Sequence, residues 1–224
     1  DIIMSIKYFL IIVILVIYVS YNIYEKFNDQ KKNDVSLKII KNFVDEPEIL
    51  SILNECNNFY NSKTVSKTGN KVSDWRTSTT CSLNRNSNAH RIISDKLKAL
   101  GYEPKKVETL QLTKYLEGQY YKEHYDYFNE NNPIENNHLK TNGQRLETIF
   151  VYLRTPEEGG ETYFNILDKK LKLEKGDALF WRNCEKIDDG KYNYFKESKH
   201  SGLPVKKGYK IGMNIWITDK DKIN

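Results

Sequence analysis

The chain has 224 residues and a formal net charge of +5, from 35 basic and 30 acidic side chains. That length accommodates one sizeable domain with a real core. The charges are scattered along the chain rather than gathered, which describes a mixed solvated surface and no nucleic-acid partner.

The first element is the apolar run from Tyr8 to Tyr21. Residues 8–24 carry no charge and sit at the lower limit of ~17 residues for a membrane span. No polar face interrupts the run, and no small-x-small cleavage site follows it, so it reads as a retained anchor rather than a signal peptide. Tyr18, Tyr21 and Tyr24 would sit at the interface. Residues 1–26 are therefore predicted to be a single-pass membrane anchor, and the polar residues 27–36 a linker. Charge leaves the orientation open, with Lys7 on one side and Lys26, Lys31 and Lys32 on the other.

Residues 37–220 form the predicted catalytic domain. Asp45 followed by Glu46-Pro47-Glu48 marks a helix start, by its N-cap, early proline and acidic first turn. Ile49, Leu50, Ile52, Leu53, Cys56 and Phe59 continue at helical spacing. A second helix is predicted over 88–100, stopped by Gly101. After Pro104 the chain turns rich in aromatic and β-branched residues. Strands are expected over 107–115, 119–128, 147–154, 162–166, 178–181 and 208–218. Helices first and strands afterwards give an α+β class with a sheet sandwich or barrel. Residues 129–143 and 183–199 read as two long polar loops. Cys56, Cys81 and Cys184 lack metal spacing; one disulfide plus a free thiol, or three thiols, both fit.

Chemistry is concentrated in three places. His124 and Asp126 lie two apart, on one face of a strand. Gly159-Gly160-Glu161-Thr162 predicts a tight turn, read as architecture except for Thr162. His200 is followed ten residues later by Lys210, and then by Trp216. Two imidazoles and a carboxylate on one side of an ion suit a non-haem Fe(II) oxygenase. The other two histidines, His90 and His138, are assigned to surface positions.

These motifs resemble the prolyl 4-hydroxylases of the 2-oxoglutarate- and Fe(II)-dependent dioxygenases. The resemblance lies in Tyr115-x-x-Gly118-Gln119-x-Tyr121-x-x-His124-x-Asp126-Tyr127-Phe128, in Gly-Gly-Glu-Thr at 159–162, in Gly176-Asp177-Ala178-Leu179-Phe180, and in the stretch from His200 through Lys210 and Asn214 to Trp216. It spans about residues 38–218, in family order. It implies a double-stranded β-helix (jelly roll) with the N-terminal helices packed on its outer face. It also implies His124, Asp126 and His200 as metal ligands, with Lys210, Tyr115 and Thr162 on the far carboxylate of 2-oxoglutarate. Arg145 and Tyr121 match groove positions, Trp216 a tryptophan near the metal, and Arg76-Thr77-Ser78 a segment approaching the substrate.

By the same resemblance, Fe(II), 2-oxoglutarate, dioxygen and ascorbate are the expected cofactors. The expected reaction is 4-hydroxylation of peptidyl proline in a collagen-like or Pro-rich chain, by a domain facing a lumen. The same chemistry on peptidyl lysine or a small molecule is the alternative, and an inactive anchored binding module the remote one.

Overall fold

A computed structural model describes residues 35–66, 69–71, 74–187 and 190–222, together with residues 15 and 18. Apart from residues 15 and 18 the predicted anchor lies outside these residues, as do almost all of the predicted linker and the Asp188-Asp189 pair. Among the described residues, no helix is long and apolar enough to cross a membrane.

The chain enters on strand β1 (Lys38–Ile40) and turns into helix α1 (Glu46–Asn54). Asp45 caps that helix with its side chain on the Glu48 N–H, and the Glu48 carboxylate accepts the Asp45 N–H in return, both at 2.9 Å. The helix ends sooner than its apolar spacing suggests. Cys56 and Phe59 lie in the coil beyond it, and Cys56 is joined to Cys81 in a disulfide. Cys184 is a buried free thiol.

Strands β2 (Tyr60–Asn61), β3 (Thr64–Ser66), β4 (Gly69–Lys71) and β5 (Thr79–Ser82) lead to helix α2 (Asn88–Ala99). Here the surface assignment of His90 is corrected. It shares the buried face with Ala89, Ile93 and Leu97, and its Nε2 accepts the Leu110 N–H at 3.2 Å. Burial, reinforced by Arg85, lowers its pKa to about 4, so it serves as a neutral core acceptor.

Next come β6 (Gln111–Tyr115), β7 (Tyr121–His124), helix α3 (Pro133–Asn142), β8 (Arg145–Arg154), β9 (Glu158–Gly159), β10 (Thr162–Phe164), β11 (Lys169–Leu171) and β12 (Ala178–Arg182). The last group is β13 (Cys184–Lys186), β14 (Tyr192–Tyr194), β15 (His200–Gly202), β16 (Val205–Lys207) and β17 (Lys210–Thr218). Both predicted loops are therefore structured. Within 129–143, Asn132 caps α3 by accepting the Ile134 N–H, Pro133 occupies the first turn, and Gly143 ends the helix at φ 76°. Within 183–199, β13 and β14 form a hairpin.

The fold is mostly β with few helices. Strands β1-β12-β8-β17-β6-β5-β2 make a seven-stranded sheet, and β11-β10-β15-β7 a four-stranded one. Strand alternation divides the core in two. Ile149, Val151 and Leu153 of β8 pack with Ile52 of α1 and Ile93 and Leu97 of α2, so both helices cover one face of the large sheet. Phe150 and Tyr152, on the opposite face of the same strand, pack with Phe164 of the small sheet and with Trp181. The second face is the one that carries the polar site.

Asp45→Ala removes the side-chain half of the α1 cap, the bond from the Glu48 N–H. We expect a loss of about 1 kcal/mol in urea unfolding, with little change in the slope.

Candidate active site

A cavity of about 680 Å³ is lined by every site residue assigned from the sequence: His124, Asp126, His200, Lys210, Tyr115, Thr162, Arg145, Tyr121 and Trp216. Strands β7 and β15 pair antiparallel with His124 directly opposite His200, and their ring centroids are 4.2 Å apart. Asp126 spans the pair. Its Oδ1 lies 3.9 Å from His124 Nε2 and its Oδ2 4.0 Å from His200 Nε2. One donor atom from each residue lies within 4.8 Å of the others, close to the spread that bonds of ~2 Å to a shared ion allow.

The rings are oriented for that purpose. His124 Nδ1 contacts the Lys122 carbonyl at 2.8 Å, and His200 Nδ1 the Ser198 carbonyl at 2.9 Å. A carbonyl only accepts, so each Nδ1 carries the proton and each Nε2 keeps its lone pair for an ion. Burial, and then the neighbouring His200, lowers the His124 pKa to about 3, which keeps the imidazole neutral. Burial raises the Asp126 pKa, but His200, His124, Arg145 and a Thr148 hydrogen bond outweigh it and hold the carboxyl below its ordinary value. Thr148 Oγ1 donates to Asp126 Oδ2 at 2.8 Å and accepts from Asn183 Nδ2 at 2.8 Å. Two imidazoles with Nε2 turned inward, an ionised carboxylate and a hydrogen-bonded outer layer fit Fe(II).

One detail of the sequence argument is corrected. Strand β7 stops at His124, so Asp126 sits in the bend after it and does not share a strand face with the histidine.

Lys210 lies across the cavity on β17, opposite Tyr115 of β6. It is only 3 % exposed. Its Nζ donates to the Gly160 carbonyl at 2.8 Å and to the Tyr152 hydroxyl at 3.2 Å, both neutral oxygens. Burial lowers its pKa to about 7, which the more distant Glu161 offsets only in part. A buried ammonium held by neutral groups is a receptor for an anion. Thr162 Oγ1 shares a 2.9 Å hydrogen bond with the Tyr152 hydroxyl, which also donates to the Leu171 carbonyl at 3.1 Å.

With this geometry in view, the comparisons with known proteins fall into place. Residues 110–218 match the family model of the 2OG-Fe(II) oxygenase superfamily. Over those residues the chain is similar to members of that superfamily. Over 115 residues it is 36% identical to prolyl 4-hydroxylase subunit alpha-2 of Caenorhabditis elegans, covering 50% of this chain and 20% of the subunit. Over 128 residues it is 31% identical to human prolyl 4-hydroxylase subunit alpha-3, covering 57% of this chain and 22% of the subunit. Among solved structures, the viral collagen prolyl hydroxylase of Paramecium bursaria Chlorella virus-1, in its 2OG complex, superposes with a TM-score of 0.63 at 29% identity, covering 81% of this chain and 94% of that one. The chain spans less than half the length of the curated relatives it matches.

The rest of this cavity is polar and aromatic. Arg145 is tied down inside the cavity by an ion pair. It makes a two-pronged bond to Glu108, at 2.9 and 2.8 Å, with both side chains less than one-fifth exposed. Its guanidinium lies 3.6 Å over Trp216 and 4.7 Å over Phe128. Tyr121 stacks on His124 with centroids 3.5 Å apart, and Arg76 lies 4.8 Å over the Tyr121 ring. Arg76 Nε also donates to Ser78 Oγ at 3.0 Å, so the predicted segment 76–78 does reach the cavity. His138, read as a surface residue, lines the cavity on α3 and stacks on Phe128.

Several contributors escape the motif reading. Glu108, Thr148 and Tyr152 each act on a site residue far away in sequence, and Asn183 acts through Thr148; Thr148 and Tyr152, two residues to either side of the inward Phe150 on β8, had a local signal in strand alternation. Gly160 is more than architecture, because its carbonyl holds Lys210. Gly159 remains architectural: at φ 70°, a Cβ there would lie 2.4 Å from the Pro204 carbonyl oxygen.

Lys210 gives a stability prediction with a definite sign. Its folded pKa is near 7 and its ordinary value is 10.5. Between those pH values the unfolded chain binds more protons, so wild-type stability rises with pH across that window. In Lys210→Met this contribution disappears. We expect the variant's urea midpoint, relative to wild type, to be higher at pH 7 than at pH 10.

Proposed function

We propose that this chain carries a 2-oxoglutarate- and Fe(II)-dependent dioxygenase domain that hydroxylates peptidyl proline at the 4-position, in a collagen-like or Pro-rich chain. The observation that carries the reading is the pairing, in one cavity, of a two-histidine and carboxylate triad with a buried ammonium that, among the described residues, donates only to a carbonyl and a hydroxyl. The prolyl 4-hydroxylase relatives and the two-sheet architecture support it, the latter read as a double-stranded β-helix.

When bound, Fe(II) with 2-oxoglutarate and dioxygen supplies the oxidising power: one oxygen enters a substrate C–H bond and 2-oxoglutarate becomes succinate and carbon dioxide. His124, Asp126 and His200 would hold the metal through one donor atom each. Lys210, with Tyr115 and Thr162 beside it, receives the distal carboxylate of 2-oxoglutarate. The anion supplies the ion-pair partner that the buried ammonium lacks. Phe150 lies beside Lys210, while Phe164 and Trp181 pack against His200, and these rings exclude water. Ascorbate joins the proposal as an accessory reductant.

Arg145, clamped by Glu108 and stacked on Trp216, also donates from Nη1 to the Asp126 carbonyl at 3.4 Å, and offers the outer N–H groups of its fork to a substrate carbonyl. Tyr121 and Trp216 offer aromatic surfaces to a polyproline-II segment, which arrives extended and already ordered. The complete triad and Lys210 argue against an inactive binding module.

The Cys56–Cys81 disulfide supports an oxidising, lumenal compartment, and the apolar run at 8–21 supports membrane attachment.

The test is to incubate the protein with Fe(II), 2-oxoglutarate and a set of Pro-rich peptides. We expect a mass gain of one oxygen on proline and stoichiometric succinate, both abolished in His200→Ala. Oxygen gained only on lysine-containing peptides, or succinate released equally by His200→Ala, would overturn the reading. In Arg145→Ala we expect the peptide KM to rise about 10-fold or more. The KM for 2-oxoglutarate should move little in that variant, because the two ends of the cavity are held by different residues.

A further inference from the structure

Asp126 poses a structural problem. A ligand that bridges two imidazoles needs a fixed backbone, yet β7 ends at His124 and residues 125–128 have no strand partner. Their backbone hydrogen bonds go elsewhere. Phe128 N–H donates to Gln144 Oε1 at 2.8 Å, and Gln144 Nε2 donates to the Phe128 carbonyl at 2.8 Å. One side-chain amide thus satisfies both backbone groups of Phe128, in the two-bond pattern that an antiparallel neighbour would offer.

Gln144 is itself held rigidly. It is 0% exposed. Its Oε1 also accepts the Arg145 N–H at 3.0 Å, and its own N–H donates to Asp219 Oδ1 at 2.8 Å. Asp219 Oδ2 accepts the Tyr192 hydroxyl at 2.6 Å, which ties in the β13–β14 hairpin. Gly143 leaves room for this arrangement, since a Cβ there would lie 2.5 Å from Asp219 Oδ1.

We propose that Gln144 is a positioning residue for Asp126: its amide stands in for the missing sheet neighbour of residues 125–128 and so sets where the carboxylate meets the two imidazoles. The inference rests on the reading of His124, Asp126 and His200 as metal ligands. It adds a backbone-level constraint to the side-chain contact from Thr148. Gln144 touches neither the metal position nor the Lys210 end of the cavity.

The experiment is Mn(II) titration calorimetry on the full chain, with Co(II) absorption spectra alongside. Wild type is compared with Gln144→Met, which keeps the shape and loses both hydrogen bonds, and with Leu112→Ala, an equally buried change on β6. We expect Gln144→Met to weaken Mn(II) binding about 10-fold and to shift the Co(II) bands. Leu112→Ala should lower Tm and leave the metal Kd unchanged. Should Gln144→Met fail to fold, Gln144→Glu carries the same comparison, because it keeps the acceptor and loses the amide donor. An unchanged Kd and Co(II) spectrum in a folded Gln144 variant overturns the inference while leaving the metal site intact. No Mn(II) binding by wild type would remove the metal-site reading, and this inference with it.

Discussion

The antiparallel pairing of β7 with β15 is the contact on which the molecule turns. It sets His124 opposite His200, and the backbone carbonyls of Lys122 and Ser198 then fix which nitrogen of each ring faces inward. A slip of one residue in this register would send one imidazole to the opposite face of the sheet. The rest of the site is arranged around that pair. The carboxylate of Asp126 reaches both rings from a bend, and it is kept ionised despite burial because two imidazoles, a guanidinium and a hydroxyl surround it.

A second constraint operates at the other end of the cavity. Lys210 is desolvated on β17 and given only a carbonyl and a phenol hydroxyl as partners. That is costly for a free ammonium and favourable for one about to meet an anion. Active sites concentrate such destabilised groups because the missing interaction is the one the ligand supplies. The large sheet bears that cost with packing elsewhere. One face of β8 and β17 is covered by α1 and α2, which frees the opposite face for polar work.

The candidate site was more legible in the sequence than parts of the fold. His124, Asp126, His200 and Lys210 stand in short local patterns whose residue types imply their chemistry, and all four line one cavity. Helix α1 was legible for a related reason: a capping box is a local interaction. Helix α3 was hidden because its apolar periodicity is weak, although Asn132, Pro133 and Gly143 mark its ends. His90 was misplaced because a lone polar residue on an apolar helix face reads as exposed. The N–H of Leu110, twenty positions away, is what makes it a core residue.

Chain order and residue type alone pointed to the candidate ligand set, the superfamily resemblance and the first two helices, because ligation and local hydrogen bonding need only a few neighbouring side chains of the right kind. Tertiary structure alone decided that Asp126 leaves its strand and is held by Gln144 and Thr148, that Glu108 grips Arg145, that Cys56 pairs with Cys81, and that Lys210 has no carboxylate beside it. Those outcomes depend on which distant segments the two sheets bring within ~3 Å of each other, a distance at which hydrogen bonds form and which linear spacing does not encode.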